Sequence, residues 1–128
     1  MSKKAISVRL NIEQAALKLF SKLKAGDKVG LVGPVGAGKS TLASLLIKSY
    51  GLDYQGSPTF TYINRYFLPQ LKTELLHIDL YRGSVSDDIL ENDSIALIEW
   101  CSDEIFALLN PRFTLNIDEL HMCSWSER

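Results

Sequence analysis

Residues 33–40 carry the pattern with the most definite chemistry in this sequence. They read Gly-Pro-Val-Gly-Ala-Gly-Lys-Ser, which matches the spacing G-x-x-x-x-G-K-[ST] of a phosphate-binding loop. Glycines let such a loop curl so that its N–H groups face phosphate oxygens, and the following helix adds its positive dipole end. In this pattern Lys39 reaches the β- and γ-phosphates and the Ser40 hydroxyl binds magnesium. The predicted nucleotide-binding residues are Gly33, Gly36, Ala37, Gly38, Lys39, Ser40 and Thr41.

Both flanks of this loop have the expected pattern, a strand before it and a helix after it. Lys28–Val32 is a short, mostly apolar run with two β-branched residues, which is typical of a buried strand. After the loop, apolar residues recur at helical spacing from Leu42 to Tyr50, and Gly51 stands where a C-terminal cap is expected. The sequence therefore predicts a strand, loop and helix around the phosphate site.

Two acidic residues follow apolar runs and are candidates for the magnesium side of the site. Asp79 comes after Leu75–Ile78, and Glu99 comes after Ile95–Ile98. Phosphoryl chemistry needs an acid that holds or orders the metal, and open α/β sheets bind ligands at the carboxyl ends of their strands. Each acid alone is equally well explained as a solvated strand end. With a phosphate loop in the same chain, we expect at least one of them to serve.

Three further side chains have both a functional and a structural explanation. Thr59, in a hydroxyl-rich segment, is suited to sensing a γ-phosphate or a metal, although β-rich sequence also favours threonine. His77 alternates with Asp79 and so shares its face of a strand, but a lone histidine is more often structural. Trp100 is more often part of a core or an interface than of a catalytic site.

Composition restricts the class of protein. The chain has 128 residues, 46% hydrophobic and 23% charged, with a net charge of −1, as expected for one compact domain over residues 1–128. This charge gives no general attraction to nucleic acid or to an anionic membrane. No apolar stretch reaches the length of a membrane span, and two cysteines are too few for a disulfide scaffold. We expect a cytoplasmic protein.

Strand and helix patterns alternate along the chain, which indicates an α/β fold. Asn11 and Gln14 form a helix-capping pattern, and the helix that follows closes at Gly26. The aromatic segment Phe60–Phe67 fits either a strand with a turn or a mobile segment. From Glu119 the sequence has no periodicity, and an exposed tail is expected there. The other predicted strands are Ala5–Leu10, Leu75–Ile78, Ile95–Ile98 and Phe113–Ile117, and the other predicted helices are Asp87–Leu90 and Asp103–Leu109, the latter capped by Ser102.

Four segments occur together in a specific order. The phosphate loop is followed by Ser57–Phe60 (S-P-T-F), by His77–Arg82 (H-x-D-x-Y-R) and by the pair Glu99-Trp100 after an apolar strand. In this order and spacing the chain resembles the TsaE (YjeE) family over residues 10–117. That family comprises small P-loop ATPases of bacterial tRNA threonylcarbamoyladenosine biosynthesis.

The resemblance implies a single P-loop NTPase domain with a mostly parallel, mixed sheet flanked by helices. It implies ATP or ADP and Mg²⁺ as ligands, with Ser40 and Glu99 near the metal. Thr59 and Asp79 would lie in switch-like segments, and Trp100 beside the site. It also implies TsaB- and TsaD-like partners, which transfer threonylcarbamoyl to adenosine 37 of certain tRNAs. Contact with tRNA would then be indirect, and ATP hydrolysis would reset the complex.

On this basis we expect a weak, partner-activated ATPase in which Lys39, Asp79 and Glu99 are catalytic. A small-molecule kinase would use the same loop but needs an arginine lid, and the arginines show no such cluster. A non-catalytic nucleotide-binding adaptor uses the same residues and stays open. The guanine-specifying pattern N-K-x-D is missing from the sequence, which favours ATP over GTP.

Three departures from the family pattern are visible. Ser40 replaces the commoner threonine but keeps the hydroxyl, and Pro34-Val35 stands where Asp-Leu is frequent. The C-terminal part is short, so we expect the last strands to be reduced to Phe113–Leu120.

Overall fold

A computed structural model describes residues 7–58, 63–80, 93–99 and 107–128 of the chain. These residues form one sheet of seven strands with two long helices. The strands are β1 (Ser7–Asn11), β2 (Lys28–Val32), β3 (Ile63–Leu68), β4 (Thr73–Asp79), β5 (Ile95–Glu99), β6 (Phe113–Ile117) and β7 (Met122–Glu127). The helices are α1 (Ile12–Lys22) and α2 (Lys39–Ser49).

The sheet is mixed, with a parallel centre and antiparallel edges. Its strand order is β1-β7-β6-β2-β5-β4-β3. The four central strands β6, β2, β5 and β4 run parallel to one another, whereas β3 is antiparallel to β4, and β7 is antiparallel to both β6 and β1. The predicted α/β fold with a mostly parallel, mixed sheet is therefore confirmed. Parallel pairing also brings the carboxyl ends of β2, β4 and β5 to one edge of the sheet.

Helix α1 begins as the capping pattern predicts. The Asn11 side chain accepts a hydrogen bond from the Gln14 N–H at 2.7 Å, and the Gln14 side chain accepts one from the Asn11 N–H at 3.0 Å. This reciprocal pair satisfies two N–H groups that the first helical turn leaves without intrahelical partners. The helix ends at Lys22, and Gly26 turns the chain toward β2 with a φ of 90°.

The core has a large part on one face of the sheet and a small part on the other. The large part lies between the sheet and the helices, and its biggest side chains include Leu19, Leu46, Phe113 and Trp125. The small part consists of Leu76, Ile78, Ala96, Ile98 and Leu109. Strands β4 and β5 contribute to both parts, because side chains on both of their faces are buried.

The C-terminal segment differs from the expected exposed tail. Residues 122–127 form β7, which pairs with both β1 and β6. Cys123 and Trp125 point into the core, and burial raises the pKa of the Cys123 thiol to about 11. One serine separates these two inward residues, and the turn before them contains no glycine or proline, so the usual sequence signals are weak. The expectation that the last strands are reduced to Phe113–Leu120 was therefore wrong.

Some of the other predicted strands and helices fall on described residues, and others fall outside them. In the aromatic segment, residues 63–68 form β3 and turn back into β4, while residues 59–62 lie outside the described part. The predicted helix Asp87–Leu90 and the cap Ser102 also lie outside it. Residues 107–109 are helical, and Asn110 ends this helix with a φ of 47°. Within the described ranges, neither helix is long and apolar enough to cross a membrane.

We predict that Trp125→Ala lowers the free energy of unfolding by about 3–5 kcal/mol, because it empties a fully packed site in the core. Ser124→Ala, on the opposite face of the same strand, is the control and should stay within about 0.5 kcal/mol of the unmodified chain. Chemical denaturation followed by circular dichroism measures both. Similar small effects in the two variants would contradict the packing of β7.

Candidate functional site

The phosphate loop connects β2 to α2 and is held in a tight curl. The Ala37 N–H donates to the Pro34 carbonyl at 3.1 Å, and the Leu42 N–H donates to the Gly38 carbonyl at 2.9 Å as the first bond of α2. A side chain at Gly33 would meet the Ile117 carbonyl oxygen at 2.4 Å. The backbone of the loop is therefore packed directly against β6.

Gly38 is favoured mainly by its backbone conformation, and a side chain there would also displace the end of the Ile12 side chain. Its φ of 120° lies in a region that side chains disfavour, and an added Cβ would lie 2.2 Å from Cδ1 of Ile12. Gly36 also has a positive φ, of 82°, but a Cβ there would meet nothing within 4 Å. At Gly36 a side chain would meet backbone strain alone, whereas at Gly38 it would meet both backbone strain and a close neighbour.

The Lys39 side chain folds back onto its own loop. Its Nζ donates to the Gly33 carbonyl at 2.5 Å and to the Pro34 carbonyl at 3.0 Å. Burial lowers the pKa of Lys39, because a charged ammonium loses solvation there, while the carboxylates of Glu99 and Asp79 act in the opposite direction. Lys39 thus lies between the loop carbonyls and the two acids predicted to share its site.

Asp79 and Glu99 lie side by side at the carboxyl ends of β4 and β5. The parallel register aligns Asp79 with Glu99, and the Leu80 N–H donates to the Glu99 carbonyl at 3.3 Å. Both acids line the same cleft as the phosphate loop. The sequence suggested at least one acid at this edge, and the structure brings both there.

His77 contacts Glu99 rather than Asp79, with which the sequence suggested a pairing. Its Nε2 donates to Oε2 of Glu99, and the two side chains are 0% and 7% exposed. His77 and Glu99 project from the same face of neighbouring strands and are two residues apart in register. A pattern within one strand does not show such a contact, because the partner lies on another strand.

Two residues of the segment that follows α2, Tyr54 and Ser57, lie beside the site. The Ser40 and Ser57 hydroxyls are hydrogen-bonded at 2.9 Å, and the Tyr54 ring lies 6.0 Å from the His77 ring. Burial raises the pKa of the Tyr54 phenol, with the Ser57 and Ser40 hydroxyls acting against that shift. Tyr54 was missed by sequence reasoning, since it belongs to none of the recognised segments.

The cleft bounded by these elements has a volume of about 290 Å³. Ser57 and the exposed Val35 line it together with most of the predicted residues. Predicted residues in its lining are Gly36, Gly38, Lys39, Ser40, Thr41, Asp79 and Glu99. Gly33 and Ala37 belong to the loop but do not line the cleft, whereas Thr59 and Trp100 fall outside the described residues. The cleft thus combines the backbone of the loop, a lysine and two carboxylates, a set of groups suited to an anion with a hard metal ion.

Comparison with known proteins identifies the family. A family model described as "Threonylcarbamoyl adenosine biosynthesis protein TsaE" matches residues 7–124. The chain belongs to the TsaE family. The role that this family name carries is tRNA threonylcarbamoyladenosine biosynthesis, and the resemblance seen in the sequence is confirmed.

Two relatives and one solved structure agree with this family membership. The tRNA threonylcarbamoyladenosine biosynthesis protein TsaE of Streptomyces coelicolor is 36% identical over 114 residues, covering 79% of this chain and 74% of that protein. The protein of the same name from Borreliella burgdorferi is 33% identical over 90 residues, covering 63% of this chain and 64% of its own length. The crystal structure of Bacillus subtilis YdiB shares the fold, with a TM-score of 0.76 at 20% identity, over 98% of this chain and 88% of that one.

The two loop glycines of this TsaE-family chain give a direct test of the loop geometry. We predict that Gly38→Ala destabilises the fold by about 2–3 kcal/mol, because it forces a strained φ and makes the end of the Ile12 side chain shift. Gly36→Ala is the matched control, since it adds the same methyl group at a positive φ in open space, at about 1 kcal/mol. Denaturant unfolding measures both changes, and equal values would show that Ile12 does not restrict the loop.

Proposed function

We propose that this TsaE-family chain is a Mg²⁺-dependent ATPase that supports threonylcarbamoyladenosine modification of tRNA position 37 together with TsaB- and TsaD-like partners. One observation carries the proposal: the phosphate loop, Lys39, Ser40 and both strand-end acids line a single cleft. A cation beside curled backbone amides suits a polyphosphate, and two acids opposite it suit the metal that accompanies one.

Binding of ATP or ADP would begin with the loop and Lys39. We propose that the N–H groups of residues 36–41 bind the phosphates and that Lys39 turns from the Gly33 and Pro34 carbonyls toward them. The two carbonyl contacts hold the ammonium beside the loop at the start of α2. Phosphate charge would favour the protonated amine, against the effect of burial on its pKa.

The residues present fit a magnesium ion. Mg²⁺ prefers oxygen ligands and is commonly held by one or two carboxylates together with substrate phosphates. Ser40 offers a hydroxyl, and Glu99 offers a carboxylate whose Oε2 is already oriented by His77. We propose that Ser40 and Glu99 hold the ion, which supplies neutralisation of charge that develops on the phosphates.

Hydrolysis would rest mainly on positioning. Asp79 lies at the strand end next to Glu99, where we propose that it orders the attacking water or the metal's water shell. Within the described residues, His77 is the histidine nearest the two acids, and its Nε2 is engaged by Glu99, so it is not placed as a general base. This arrangement supports slow intrinsic turnover that rises when partner proteins complete the site.

We predict that Lys39→Ala lowers the affinity for Mg²⁺-ATP by at least tenfold, because it removes the cation between the loop and the phosphates. Lys48→Ala is the matched control, since Lys48 is an exposed lysine in the last turn of the same helix. Isothermal titration calorimetry measures both. Unchanged affinity in Lys39→Ala would exclude the proposed phosphate site.

Turnover separates an ATPase from the adaptor and kinase alternatives. We expect Glu99→Gln to bind ATP but to lose most of its phosphate release, because the amide is a weaker metal ligand than the carboxylate. Phosphate release with and without purified TsaB- and TsaD-like proteins should show stimulation only in the unmodified chain. Binding without turnover under both conditions would favour the adaptor.

A further inference from the structure

A histidine from the C-terminal hairpin contacts the underside of the phosphate loop. Nδ1 of His121 donates a hydrogen bond to the Ala37 carbonyl oxygen at 2.7 Å, across 84 positions of sequence. A carbonyl oxygen only accepts hydrogen bonds, so Nδ1 carries the hydrogen in this contact. Ala37 itself is buried, and its side chain does not line the cleft. The contact therefore acts on the backbone of the loop from behind.

The turn that presents His121 is fixed by the Asp118 side chain. Its Oδ1 accepts from the Leu120 N–H at 2.9 Å and from the Met122 N–H at 3.0 Å, and its Oδ2 accepts from Arg9 on β1 at 3.0 Å. The His121 N–H donates to the Asp118 carbonyl at 3.0 Å, and His121 adopts a left-handed φ of 63°. The turn therefore fixes where the Cα of His121 lies, and the bond to Ala37 orients its exposed imidazole.

The planarity of the peptide bond links this contact to the cleft. In a trans peptide the C=O of one residue and the N–H of the next point in opposite directions. The Ala37 carbonyl and the Gly38 N–H belong to one such unit, and its carbonyl side is held by His121. Gly38 is also the residue that leads into α2 and lines the cleft. Fixing the carbonyl behind the loop therefore fixes the direction of the N–H in front of it.

We propose that His121 is a positioning residue for nucleotide binding, which orients the Ala37–Gly38 peptide so that the Gly38 N–H faces a bound phosphate. The inference rests on the proposed function, since it assumes a polyphosphate in the cleft. It adds a residue that the phosphate-loop pattern does not include. Glycine at position 38 gives that peptide rotational freedom, and the His121 contact removes it.

Two substitutions separate the hydrogen bond from the turn. His121→Asn keeps a donor at the position of Nδ1 and tolerates the left-handed φ, whereas His121→Gly keeps the backbone but removes the donor. Isothermal titration calorimetry with Mg²⁺-ATP and, separately, with inorganic tripolyphosphate measures binding. We expect about a tenfold loss for His121→Gly with both ligands, and a loss below about threefold for His121→Asn. Thermal unfolding should show both variants folded at the assay temperature.

The outcomes distinguish the inference from its alternatives. Equal losses in the two variants would show that the donor is irrelevant, and a loss seen with ATP but not with tripolyphosphate would show contact with the nucleoside instead. Either result overturns the inference and leaves the proposed function standing. Failure of the unmodified chain to bind either ligand would overturn both. If His121→Gly is unfolded, His121→Ala replaces it with the same expected loss.

Discussion

Parallel pairing of β2 with β5, and of β5 with β4, is the constraint on which the rest of the site depends. It requires the chain to return to the same end of the sheet after each strand, so the residues that follow these strands meet at one edge. The phosphate loop follows β2, while Asp79 and Glu99 end β4 and β5. A change in this pairing would separate the lysine from both acids, whatever their local geometry.

Because these elements converge, several charged and polar side chains are buried together. Lys39, Glu99 and His77 are all nearly inaccessible to solvent, and each has a polar partner: two carbonyls for the lysine, and one another for the acid and the imidazole. Buried charges without such partners would strongly destabilise the fold. These partners reduce the energetic cost of placing polar side chains in a buried part of the sheet.

Local sequence patterns predicted the parts of the fold that local interactions determine. Lys28–Val32 is the strand that the apolar run indicated, and the Asn11–Gln14 cap is made by residues three apart. The cleft residues could also be predicted, because the loop pattern and the ends of apolar runs are local features. Strand β7 was missed because it is stabilised by pairing with β1 and β6, and the two inward residues, Cys123 and Trp125, give too short a pattern to predict a strand. The His77–Glu99 contact was missed for the same reason, as it joins neighbouring strands.

The phosphate loop shows that a local pattern still depends on distant parts of the chain. Its eight residues are recognisable alone, yet its backbone is packed against Ile12 at the start of α1 and Ile117 at the end of β6. The hairpin that follows β6 adds the His121 contact, and Arg9 on β1 holds that hairpin through Asp118. The loop is therefore in contact with elements from near both ends of the described chain, α1 on one side and β6 with its hairpin on the other. Because the loop contacts these distant elements, a change in the β1–β7 pairing can alter the cleft without altering any residue that lines it.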